Sequence, residues 1–352
     1  MKHYLLILNL LFFVSCTSSN QKINFSEMTA IPIQGERLEE DIISTTEAVF
    51  FIADSCFIVS DTNNPEAIIT VLDERTGKRL NTISSRGSGP GEFQYPEILG
   101  KSPDNDTLYI ANIPNRINLF VKKGRGNYEF AQEMKIYLKT KGEFPMDFHR
   151  MDNGYYVMTT LSGGKDFFIL LDKDCREVKR FGLHPVKGMT AEACDFIVFQ
   201  GRTASYGNSF YFATFKFGYI VRYDISDTGE TNLVWEQYLS EPQVSVSEAN
   251  IQIKGKTNLS GFHGLAANKD YLFATYSGIY YSAFIDQKDP DACTPQTLVV
   301  FKPDGQIVGK YSFSNRSTRI CLSEDNSKLY LWNTLPEVGI ERYNVKDILN
   351  AK

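Results

Sequence analysis

Apolar and polar residues alternate along nearly the whole chain, in short runs closed by turn-forming residues. This is the pattern of half-buried antiparallel strands, in which successive side chains point to opposite faces. The runs at 48–52, 67–72, 107–111, 155–159, 167–171, 210–214, 271–275, 298–301 and 328–332 are β-branched and aromatic, and Gly, Asn, Asp and Ser bound them. Beyond the first sixteen residues, long stretches with the helical period of 3.6 are hard to find. The pattern predicts an all-β protein.

The runs repeat. A polar turn leads into a strand of the form Leu/Tyr/Phe-Tyr/Phe-x-Ala/Thr, a second strand follows, and a short turn carrying Asp or Gly leads to a third. Clear copies of that turn are Val71-Leu72-Asp73-Glu74-Arg75-Thr76-Gly77-Lys78 and Val300-Phe301-Lys302-Pro303-Asp304-Gly305-Gln306. With Leu72, Phe120, Leu171, Tyr223, Phe301 and Tyr343 taken as equivalent, the intervals are 48, 51, 52, 78 and 42 residues. A period of about 50 with three or four strands per unit fits the blades of a β-propeller. Six anchors predict six blades, which pack radially because one blade alone cannot bury both of its apolar faces. The 78-residue interval places insertions at about 240–260 and 277–296. The last unit has room for only three strands, so a segment near 23–33 is expected to supply the fourth and close the ring. The competing architecture, two separate β-sandwiches, would not keep one period throughout. The domain plan is therefore a leader at 1–15, a tether at 16–22 and one six-bladed domain at 23–352.

The leader follows from the start of the chain. Lys2 and His3 precede an apolar run from Tyr4 to Val14, too short for a spanning helix, which needs about 20 residues. Phe13-Val14-Ser15-Cys16 resembles a bacterial lipobox, which implies cleavage before Cys16 and lipidation of its thiol. The +2 residue is Thr17, not the Asp that would hold a lipoprotein in the inner membrane, and no acidic cluster follows. The expected location is the outer membrane, anchored by lipid and facing the periplasm, with surface display as the second choice.

Composition narrows the classes. The chain has 352 residues, 42% hydrophobic and 13% aromatic, which is ample for a packed core and excludes a disordered chain. Lys and Arg number 37 against 42 Asp and Glu, a net charge of −5, which argues against nucleic acid as a partner. After Cys16 there remain Cys56, Cys175, Cys194, Cys293 and Cys321, with no C-x-x-C pair. Cys56 and Cys321 sit in apolar runs and read as small buried hydrophobes. Cys175 and Cys194 are the nearest pair in sequence, should an oxidising compartment form one disulfide.

The most distinctive string is Arg86-Gly87-Ser88-Gly89-Pro90-Gly91-Glu92-Phe93-Gln94-Tyr95-Pro96. Pro90 removes a backbone donor and no Gly-Lys-Ser/Thr follows, so a phosphate loop is unsupported, and the glycines read as turn geometry between blades. The string resembles the Gly-x-Gly-Pro-Gly-Glu-Phe-x-x-Pro linker of NHL-like six-bladed propellers. Together with the lipobox, the chain resembles the TolB-like propeller lipoproteins of Bacteroidota over about 47–345. Later junctions carry only fragments of the loop, as at Lys141-Gly142-Glu143-Phe144-Pro145.

Catalytic constellations are sparse. No Gly-x-Ser-x-Gly elbow occurs, and His149, His184 and His263 lack metal-ligand spacing. The acidic run at 286–291 lacks the glycine and the terminal Glu of a calcium loop. Aromatics beside charged residues could line a polar mouth for a glycan, peptide or lipid-like ligand, or for a protein partner: the rim candidates are Arg86, Glu92, Tyr95, Phe144, Phe262 and Arg319, with Arg202 beside them. A binding module without a cofactor is the leading reading. The alternative is a metal-dependent hydrolase or lyase with calcium or zinc in the central channel, held by Asp147, His149, Asp195 and His263 and activating a water. A third reading is a structural envelope protein that docks others through its blade faces.

Overall fold

Each repeat closes on itself because its turns reverse tightly while its apolar positions split between two faces. The computed structural model describes residues 25–38, 49–60, 68–94, 96–102, 104–112, 116–140, 145–160, 166–186, 196–247, 250–285, 293–335 and 338–351. Two short N-terminal strands come first, β1 (Ile31–Pro32) and β2 (Glu36–Arg37). Blade 1 holds β3 (Val49–Ala53), β4 (Cys56–Ser60), β5 (Ile69–Asp73) and β6 (Arg79–Ser84). Blade 2 holds β7 (Pro96–Lys101), β8 (Thr107–Asn112), β9 (Arg116–Gly124) and β10 (Asn127–Lys135). Blade 3 runs from β11 (Pro145–Arg150) through β12 (Tyr156–Thr160) and β13 (Asp166–Leu171) to β14 (Glu177–Leu183). A short helix, α1 (Phe196–Phe199), leads to blade 4: β15 (Gly201–Tyr206), β16 (Ser209–Thr214), β17 (Tyr219–Ile225) and β18 (Thr231–Tyr238).

The 78-residue interval is explained by two additions. A separate hairpin, β19 (Val244–Ser247) and β20 (Asn250–Ile253), stands between blades 4 and 5. Blade 5 then comprises β21 (Phe262–Ala267), β22 (Leu272–Tyr276), β23 (Thr297–Phe301) and β24 (Ile307–Ser312), with the helix α2 (Tyr281–Ile285) between its second and third strands. Blade 6 has β25 (Arg316–Leu322), β26 (Lys328–Leu335) and β27 (Gly339–Asn344), and α3 (Val345–Asn350) follows. All six sequence anchors lie in the third strand of their blade.

The N terminus supplies the missing fourth strand of blade 6. It does so through β2, where Glu36 pairs with Arg342 and Arg37 with Glu341, slightly downstream of the expected segment. The expected segment is used otherwise: β1 adds a fifth, parallel strand to β24, Ile31 opposite Tyr311. The chain is a six-bladed β-propeller.

Packing follows the ring. Six apolar clusters occupy the six spaces between neighbouring blades. Period-two alternation sorts side chains between them: in β4, Phe57 and Val59 face blade 6, whereas Cys56 and Ile58 face blade 2. At the seam between blades 6 and 1, Trp332 is fully buried and Tyr330 meets Phe57 edge-on at 4.9 Å. The Tyr330 hydroxyl donates to Glu74 Oε1 at 3.0 Å, across the same seam.

Candidate functional site

The innermost strands β3, β7, β11, β15, β21 and β25 stand side by side in a closed ring. They enclose a channel of about 480 Å³ lined by residues of all six blades. Because these strands run in one direction, the tight hairpin turns after them lie at one end of the channel. The longer connections between blades, including the β19–β20 hairpin, lie at the other.

The turn end is tied by charge. Asp54 and Ser55 form the β3–β4 turn with φ of 54° and 55°, and their backbone N–H groups donate to Glu324 of blade 6 at 3.0 and 3.2 Å. Glu324 also accepts from the Lys101 ammonium of blade 2, and Asp54 pairs with Lys122 at 2.7 Å. One carboxylate therefore links blades 6, 1 and 2.

In blade 3, His149 faces blade 4. Its Nε2 lies 2.7 Å from Thr203 Oγ1 and its Nδ1 lies 3.1 Å from Ser205 Oγ. Burial pushes the imidazole pKa down to about 4, against a smaller opposing effect of Asp147. The ring is thus neutral at pH 7, with both nitrogens engaged by hydroxyls rather than presented to a metal.

The loop end carries arginines. Arg202 donates from Nε to the His263 carbonyl at 3.0 Å, and its guanidinium lies 4.5 Å over the Phe215 ring. Phe215 stacks in turn on the His263 ring at 5.4 Å, with an 18° angle between planes. Arg319 lines the same channel from blade 6, and Asp147 from blade 3, where its N–H donates to Thr159 Oγ1 at 3.1 Å.

Of the residues singled out from sequence, Asp147, His149 and Arg319 line the channel. His263 is buried beside it, one position before the lining residue Gly264. Tyr95, Phe144, Asp195 and Cys16 lie outside the described residues. Phe262 is fully buried between blades 4 and 5 against Tyr276, and a ring with no exposed surface has no face to offer a ligand. Arg86 and Glu92 belong to an inter-blade staple. Arg86 bridges to Phe93, the Gly89 N–H donates to Glu92 Oε2 at 2.8 Å, and Phe93 is buried on Phe120 of blade 2. Among the described residues no three His, Cys, Asp or Glu side chains gather into a group able to hold a metal ion.

Sequence reasoning passed over Lys101, Arg150, Thr203, Ser205, Gly264 and Glu324, all of which line the channel. Aligning the first strand of each repeat on its third-strand anchor would have found the strand residues among them. Cys56, Cys175, Cys293 and Cys321 are free thiols. Burial pushes Cys56 and Cys293 up to about 11 and Cys175 to about 12, so these thiols stay protonated at neutral pH and are poor nucleophiles.

No family model matches the chain, and no curated protein matches it. Solved structures do. A member of the DUF4221 family from Bacteroides vulgatus aligns with TM-score 0.55 and 13% identity, over 91% of this chain and 99% of that one. An exported protein from Bacteroides fragilis aligns with TM-score 0.51 and 11% identity, over 86% and 88%. The WD40 repeats of RRP9 align with TM-score 0.50 and 9% identity, over 90% and 98%. At these identities the likeness is one of fold. No helix among the described residues is long and apolar enough to cross a membrane.

Proposed function

We propose that this chain is an exported binding module: a propeller anchored by lipid at Cys16 to the outer membrane, facing the periplasm, that holds its ligand in the central channel. The observation that carries the reading is the channel itself. Its volume of about 480 Å³ falls within the range of small-ligand sites, and each blade contributes lining groups from a rigid strand. Charged and hydroxyl side chains converge there, and the imidazole that meets two of the hydroxyls, His149 against Thr203 and Ser205, is lowered by burial to a pKa of about 4 and so is a weak base, which favours binding over chemistry. Peptide, glycan or protein partners are accommodated by the same mouth, where the β19–β20 hairpin and α2 add surface. The leader and lipobox support export and anchoring, and the fold likeness to an exported Bacteroides protein supports export alone.

A thermal-shift screen of small metabolites, oligosaccharides and short peptides tests the channel. Asp147→Trp fills the mouth from a strand whose backbone bond to Thr159 does not involve the Asp147 side chain. Compounds that raise the melt of the wild type but not of Asp147→Trp are expected. If every stabilising compound acts equally on both, the channel is not the site. Incorporation of labelled palmitate, lost in Cys16→Ser, tests the anchor.

A further inference from the structure

We propose that the mouth of the channel binds the oxyanion of its ligand, a carboxylate or phosphate, between Arg202 and Arg319. The proposal rests on the channel-binding reading above and adds the chemical class of the ligand.

Strand register places the two arginines at the same level. Three residues before the third-strand anchor, Ile220 pairs with Ala213 and Ala213 with Arg202 in blade 4. In blade 6, Ile340 pairs with Trp332 and Trp332 with Arg319. The corresponding chain in blade 5 is Leu298, Thr275 and Gly264. Between the two arginines the intervening blade therefore offers no side chain. The glycine also lets the strands close up: a Cβ there would meet Ile320 Cγ1 at 3.2 Å and Ile320 N at 3.4 Å. A side chain there would also press on Thr275 Oγ1 of blade 5 at 3.0 Å, so its neighbours would have to give by a few tenths of an ångström.

Arg202 is fixed before any ligand arrives. Its Nε–H bond to the His263 carbonyl and its stacking on Phe215 set the plane of the guanidinium, and such preorganisation lowers the ordering cost of binding. Arg319 lines the channel, is only partly buried, and makes no ion pair among the described residues. A planar fork of N–H donors suits the paired oxygens of carboxylate or phosphate.

An acid stands on the other side of the ring: Asp147 is on blade 3, the blade facing blade 6 across the channel. It orients the oxyanion toward blades 4 to 6 and a donor or cationic group toward blade 3.

The test is isothermal titration of the purified protein at low ionic strength with citrate and with inorganic phosphate. Trehalose serves as the neutral probe, and Arg319→Gln and Arg319→Lys as variants. Circular dichroism and the ligand-free melt verify that the variants fold. Binding of citrate or phosphate is expected, weakened at least tenfold in Arg319→Gln and less in Arg319→Lys, with trehalose silent. The stronger of the two anions identifies the oxyanion. Equal binding to wild type and Arg319→Gln, or no heat from either anion, overturns the proposal. A neutral compound lost in Asp147→Trp but retained in Arg319→Gln also overturns it while leaving the channel reading intact. If no compound is sensitive to Asp147→Trp, both fall.

Discussion

Replacing Trp332 by Ala is expected to weaken the whole ring, because its side chain fills the seam where the two ends of the chain meet. Trp332 has 0% exposure and packs with Ile52, Phe57, Val59 and Leu72 of blade 1. Truncating a fully buried Trp costs about 3–5 kcal/mol, combining lost transfer energy with a cavity that its neighbours only partly fill. At about 2.1 cal/mol/K per residue, a folded part of roughly 330 residues unfolds with an entropy near 0.7 kcal/mol/K. The melting temperature should therefore fall by about 4–7 °C. Trp332→Phe, which keeps an aromatic ring in place, should lose less than half of that. Leu80→Ser, at a position 44% exposed on an outer strand, serves as the surface control and should move the melt by less than about 1 °C. The assay is differential scanning calorimetry at a fixed scan rate. A fall of under about 2 °C for Trp332→Ala, or a second transition showing blade 6 melting alone, would refute a seam that holds the ring together as one unit.

Other expectations follow from single groups. His149 has a folded pKa of about 4 against an unfolded value of about 6.5, so the unfolded chain binds more protons between these pH values. Stability from this group is present above pH 6.5 and lost as pH falls toward 4, and His149→Gln should flatten that part of the melt-versus-pH curve; an unchanged slope would assign it to other groups. Tyr330→Phe removes a hydrogen bond to Glu74, whose carboxyl is raised by burial and lowered by this bond. At pH 7 it should cost about 1.5–3 kcal/mol, a deficit that narrows at acidic pH where Glu74 is protonated in either protein, as paired melts at pH 7 and pH 4 would reveal. Gly91 has φ of 75°, and a Cβ there would meet Phe130 Cβ at 2.8 Å; Gly91→Ala should lower the melt by 2 °C or more, at about 0.7 kcal/mol/K, without changing ligand affinity. Calcium, zinc or EDTA should leave the melt unmoved, since both ring nitrogens of His149 are engaged; a metal at 100 times its Kd would instead add about 2.7 kcal/mol.

Most strand positions and the six-fold ring were legible in the sequence, whereas the number of strands per repeat stayed at three or four until the sheets were seen. The first two reside in short-range alternation and in a period that survives insertions. Leu72, Phe120, Leu171, Tyr223, Phe301 and Tyr343 occupy the same strand of successive blades because each must fill the same inter-blade space. What the alternation could not separate was core from mouth. Phe262 and Arg202 both fall at the starts of inner strands beside turn residues, yet one is sealed between blades 4 and 5 and the other lines the channel. The glycine-rich string is the strongest motif, but its Glu92 closes the loop on Gly89 and its Phe93 packs between blades 1 and 2, and neither lines the channel. The closing strand was expected from the count, and its position at Glu36–Arg37 came from pairing with β27. Channel residues are contributed one or two at a time by strands about 50 residues apart, so no local window contains them. Only closing the ring brings Arg202, Gly264 and Arg319 to one level, because their proximity is a property of blade register rather than of sequence spacing.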